Sequence, residues 1–148
     1  MPGTVVQRLV RPFSLRSPWP GEEFALLLVV RAPDVAPNEQ AALSRQIVGA
    51  GCRYAVCTGV DASSWDDAID QAVVEADLAG RRPESKTVMT TWHDKETLEE
   101  VVAFFLTHTA FEDFTPSHRL AVQLGGTDQE RLVLEGLLQE SGSGRTKR

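Results

Sequence analysis

Residues 24–32, FALLLVVRA, form a continuous apolar run, the pattern of a strand covered on both faces in a parallel sheet. The chain then changes period. From about Asn38 to Ala50, apolar positions at Ala42, Leu43 and Ile47 predict a helix, with Asn38 as N-cap behind Pro37 and Gly51 as stop. The same strand-then-helix unit recurs three times. RYAVCTGV (53–60) leads into a helix from Ser63 or Ser64 to Leu78, striped by Trp65, Ile69, Ala72, Val73 and Ala76. KTVMTTW (86–92) leads into a helix with Leu98, Val101, Val102 and Phe105 on one face, and His108 deep within it. RLAVQLGG (119–126) leads into a helix opened by Thr127 and Glu130 in the T-x-x-E capping pattern, carrying Leu132, Val133, Leu137 and Leu138.

Strict alternation of this kind predicts an α/β fold: a small, open, mainly parallel sheet of four strands with helices on both faces, Rossmann-like or flavodoxin-like. TVVQRLV (4–10) offers a fifth strand at an edge within an otherwise irregular segment 1–23. Residues 24–140 form the single α/β domain, and SGSGRTKR (141–148) is a flexible tail by composition. Counting the four repeated strands in chain order, 2-1-3-4 is the expected arrangement, by analogy with flavodoxin-like sheets. The order 3-2-1-4 puts the third strand at an edge, which its Thr87, Thr90 and Thr91 tolerate better.

The 148 residues suit one domain. Carboxylates outnumber cations 21 to 15, a net charge of -6 that disfavours nucleic acid as a direct partner. No apolar run approaches the roughly 20 residues of a membrane span, and the N-terminal segment lacks the apolar core of a signal peptide, so a cytoplasmic, membrane-free location is expected. Cys52 and Cys57, five positions apart in one predicted strand, are expected on opposite faces and about 17 Å apart, unable to bridge or to share a metal.

Ligands of open parallel sheets bind beyond the carboxyl ends of the strands. Arg31, Asp61, Thr91, Trp92, His93, Asp94, Gly125 and Gly126 belong at that end; His118, before the fourth strand, belongs at the other. His93 is the candidate general base, with Asp94 or Asp61 as the carboxylate that orients it and Trp92 as a stacking wall. The competing reading makes the same stretch a strand-to-helix joint: Asp94 accepts from first-turn amides, and Thr97 with Glu100 forms a capping box. Gly125 and Gly126 offer helix N-terminal amides to a small anion or, more simply, a tight turn. No dinucleotide or phosphate-loop motif occurs, no H-E-x-x-H or paired C-x-x-C spacing points to a metal, and no cofactor is implied. Phe111 and Phe114 close the rim of the core or form a patch for a partner.

Thr90, Trp92 and His93 spell a T-x-W-H strand end that leads through Asp94 into an acidic, aromatic-rich helix over residues 98–105. In this the chain resembles a group of small uncharacterised bacterial proteins; the resemblance covers roughly residues 24–138. It implies the same fold and a bacterial cytosolic setting, and it assigns no catalytic residue. The residues thus lead to two expectations. One is an acidic accessory or protein-interaction domain without catalytic activity, whose partner is another protein. The alternative is a small enzyme or ligand-binding domain using the crevice around His93.

Overall fold

Phe24–Val30 (β2) lies at the centre of the sheet, with all seven of its residues buried. The computed structural model describes residues 3–82 and 86–142. Around β2 it places Val5–Leu9 (β1), Cys52–Gly59 (β3), Met89–His93 (β4) and Arg119–Leu124 (β5) in the order β1-β5-β2-β3-β4, every pairing parallel. The expected α/β class holds, with TVVQRLV supplying the fifth strand. The expected 2-1-3-4 order does not. In the same counting the strands run 3-2-1-4, and threonine-rich β4 occupies the edge, where none of its residues is buried. A half-exposed Thr-Thr-Trp-His strand suits a position that lacks a neighbour on one side.

The crossovers β2-α1-β3 and β3-α2-β4 place Pro37–Gly49 (α1) and Ala62–Leu78 (α2) on one face, where Leu43, Ile47, Trp65 and Ile69 pack against Leu26, Leu28 and Val122. On the other face lie Leu98–Thr107 (α3) and Asp128–Gly142 (α4), with Val102, Phe105, Leu134 and Leu138 against Leu27, Val56 and Ala121. In α4 the buried stripe is Leu134 and Leu138, while Leu132 and Val133 stay exposed. The irregular segment before β2 replaces a helix: Phe13, Leu15 and Trp19 join the α1/α2 core. α1 starts two residues earlier than expected, with Ala36 rather than Asn38 at the N-cap; its amide donates to Glu39 Oε1 at 3.0 Å. His108 sits at the C-cap of α3 rather than inside it, stacked on Phe104. α4 runs through Gly142, and the rest of the expected tail, 143–148, lies outside the described residues, as do residues 83–85 of the RRPES turn.

One irregularity changes where side chains go. Phe24 pairs with Cys52 but Ala25 pairs with Tyr54, so Arg53 is a bulge with no partner on β2. An extra residue reverses the alternation of faces. Cys52, Ala55 and Cys57 therefore all enter the α1/α2 core, while Tyr54 and Val56 enter the other. The two cysteines share a face, against the simple parity count. Both are free and buried. Burial pushes the Cys52 thiol up to about 12 and the Cys57 thiol well above its ordinary value, so both remain neutral thiols.

Gly59, at the end of β3, has φ +93, and a Cβ there would run into the Val30 backbone. Gly136 lies in mid-α4 with open space around it. Gly59→Ala should therefore cost more than about 2 kcal/mol, whereas Gly136→Ala should add about 0.5 to 1 kcal/mol through helix propensity. Chemical denaturation midpoints of the two variants should move in opposite directions; similar shifts would contradict the close β2–β3 approach.

Candidate functional site

The strand order reverses between β2 and β5, which makes their carboxyl ends the usual ligand crevice of such a sheet. Here the backbone closes it. The amides of Arg31 and Ala32 both donate to Leu124 O, at 2.8 and 3.0 Å, and Gly125 N donates to Leu9 O at 2.8 Å. Gly125, with φ +75, lies so close to Ala32 that a Cβ would fall 2.9 Å from the alanine methyl. Around Gly126 the space is taken by Glu130, Gln123 and Arg31; a Cβ there would sit 2.7 Å from Glu130 Oε1. That carboxylate accepts from Thr127 N at 2.9 Å, while Thr127 Oγ1 accepts from Glu130 N at 3.1 Å, the expected capping box. Gln123, 1% exposed, donates from Nε2 to Gly125 O and Thr127 O. The structure thus brings Arg31, Gly125 and Gly126 together, but with the protein's own carboxylate where an anion was expected.

His93 lies elsewhere, on β4, two strands from β2. Its Nδ1 is 3.2 Å from Glu96 Oε2 and its Nε2 is 3.1 Å from Thr91 Oγ1; the ring packs against Phe104 of α3. The carboxylate at His93 is therefore Glu96 rather than Asp94 or Asp61, and this hydrogen bond holds the Glu96 carboxyl below its usual range. Trp92 cannot wall the same site. It pairs with Cys57 and shares that residue's α1/α2 face, whereas His93 faces α3. Asp61 takes the left-handed conformation (φ 55) just before α2. The cap of α3 is Thr97, reciprocally bonded to Glu100 at 3.1 and 2.9 Å, so Asp94 lies outside the cap expected of it.

On the Trp92 side, Thr90 Oγ1 donates to Asp70 at 2.9 Å and Asp66 at 3.2 Å. Asp66, Asp67 and Asp70 form a cluster whose oxygens could gather around a cation. Desolvation, and then the charge of Asp70, raise the Asp66 carboxyl above its ordinary value. β4 thus runs between acidic segments: residues 61–70 carry four carboxylates and no cation, and residues 94–100 carry four carboxylates and Lys95. Trp92 (47% exposed) and Met89 (38%) stand out along it. Phe114 is buried and Phe111 packs beside it, so these two rings close the rim of the α3/α4 core.

The opposite end of the sheet holds what the sequence did not signal. A cavity of about 640 Å³ opens at the amino ends of the strands, lined among the described residues by Arg45, Arg53, Arg81, Arg82 and Lys86 with one carboxylate, Glu23. These residues are spread over 64 positions of sequence, and Arg53 is the bulge residue at the amino end of β3, without a partner on β2. Its guanidinium donates to Thr87 O at 2.7 Å and Glu23 at 3.2 Å, with its carbon 5.1 Å from the centre of the Phe114 ring.

Fold and site together define an all-parallel open α/β domain with a sealed switch point, an acidic open edge and a basic cavity at the far end. The chain belongs to the family of a domain of unknown function, DUF7684, whose model matches residues 8–140. No curated protein matches the chain.

Thr97→Ala should remove about 0.5 to 2 kcal/mol by uncapping α3, and Asp94→Ala should stay within about 0.5 kcal/mol of the parent; thermal and urea unfolding of both variants checks the assignment. Asp66 supplies a pH test. Because its carboxyl is raised in the fold, the folded state loses its proton less readily than the unfolded chain. Its ionisation therefore withdraws stability as pH rises from about 4 through the raised value. Asp66→Asn should flatten that decline, seen as a smaller loss of melting temperature over the window; an unchanged profile would contradict the buried-carboxyl reading.

Proposed function

We propose that the chain is a non-catalytic protein-interaction domain that binds a basic, extended segment of another protein along the open edge of β4. The observation that carries this reading is the half-exposed Trp92 on an unpaired sheet edge between two acidic segments. An edge strand offers a row of free amides and carbonyls, the template for strand addition. Trp92 and Met89 supply apolar anchors for side chains on the incoming strand. Charge complementarity selects a partner rich in Lys or Arg. A second copy of this chain is disfavoured as the occupant, because its own acidic rim would meet itself. Both ring nitrogens of His93 lie within bonding distance of the protein's own groups, which favours a structural joint over a free base. Two free, buried thiols suit a reducing compartment such as the cytosol, and the T-x-W-H resemblance supports a bacterial one. Among the described residues no helix is long and apolar enough to cross a membrane.

Selection of short displayed peptides against the wild-type domain tests this reading. Recovered sequences should alternate Lys or Arg with apolar residues, their affinity should fall with added salt, and Trp92→Ala should weaken them about tenfold. Peptides without a basic bias, binding indifferent to Trp92→Ala, or no recovered binder would each overturn it.

A further inference from the structure

The cavity at the amino ends of the strands has a floor and a rim of different chemistry. Val48, Cys52, Ala72 and Ala76 line it from β3, α1 and α2; all four are buried members of the core facing those helices. The Cys52 thiol, held neutral, adds no charge. Among the described residues, five cations, one carboxylate, Gly49 and Gly51 complete the lining. In a chain of 15 cations and 21 carboxylates, one third of the positive charge thus surrounds one opening.

A plainer explanation is that these cations cap helix ends, since α1 and α2 both point their negative termini this way. The backbone already does that work. Gln46 O and Val48 O accept from Ala50 and Gly51 amides, and Glu75 O, Ala76 O and Asp77 O accept from Ala79, Arg81 and Gly80 amides. Internal ion pairs account for part of the charge: Glu23 bridges Arg53 and Lys86 at 3.2 Å each, Asp77 holds Arg82 at 2.6 Å, and Glu75 lies 3.7 Å from Arg45. One cation is left over: among the described residues the Arg81 side chain has no ion pair. Nη2 of Arg53, on a residue only 3% exposed, has no hydrogen-bond partner but lies 3.7 Å from Asp113. The Arg45–Glu75 pair is exposed on both sides, 51% and 41%, so it holds Arg45 only weakly.

We infer that this cavity binds a small organic anion: an apolar body of ring size lying on the Val48–Ala76 floor, with a phosphate monoester at its end held by Arg45 and Arg81. Guanidinium forks match phosphate oxygens in pairs, which favours phosphate over a single carboxylate. The site lies at the end of the sheet opposite the sealed switch point and does not rest on the β4 edge as an interaction surface.

Calorimetric titration of the full chain with naphthyl phosphate, inorganic phosphate and naphthol tests the inference. Naphthyl phosphate should bind about tenfold or more tightly than either fragment, since body and head both contribute. The double substitution Arg45→Gln and Arg81→Gln should weaken it about tenfold, Glu75→Gln should strengthen it by releasing Arg45, and Arg11→Gln, at the carboxyl ends of the strands, should leave it unchanged. Both arginines carry their charge at an open rim, so their loss leaves the fold intact, and a matched melting temperature checks this. Absence of naphthyl phosphate binding, equal binding of the fragments, or affinity insensitive to the Arg45/Arg81 pair would overturn it.

Discussion

Everything in this fold is hung on the pairing of β2 with two neighbours at once. Seven consecutive apolar residues have both faces under helices or loop and both edges bonded, to β3 and to β5. A strand so enclosed leaves no polar group free, and it sets the register for everything outside it. Its continuation past the last residue matters as much: the Arg31 and Ala32 amides keep bonding to Leu124 O and draw the ends of β2 and β5 together. In related architectures that gap is where a ligand enters. Here the central pairing itself seals it.

The consequence is a molecule whose chemistry lies at its margins. Chain polarity places cations at the amino ends of the strands, while carboxylates flank the β4 edge through the start of α2 and the approach to α3. These regions are separate in space and in character, one a cavity with an apolar floor, the other a flat edge with a protruding indole. A net charge of -6 describes neither. Distribution decides the partner, not the sum.

Much of the fold was legible because burial on two faces leaves a continuous apolar run and burial on one leaves a helical stripe; β2 and Trp65 to Ala76 were plain for that reason. Strand order was less so. The threonines of β4 argued for an edge, yet analogy with another sheet order outweighed them. The parity of the two cysteines failed because a bulge is set by pairing with Phe24 and Ala25, which one strand's sequence does not disclose. At the site, the Thr97 and Thr127 caps were readable from the T-x-x-E spacing, whereas Glu96 as the carboxylate at His93 needed the chain's actual turn. The basic cavity had no signature at all. Its arginines come from α1, β3 and the turn after α2, and only tertiary structure joins them.

Amide hydrogen exchange on the free protein tests the central claim most directly, that β2 is the doubly paired centre and β4 an open edge. The account predicts that amides of Phe24–Val30 exchange only through global unfolding, while alternate amides of Met89–His93, those facing away from β3, exchange orders of magnitude faster. Protection of β4 equal to that of β2 along its whole length would contradict it.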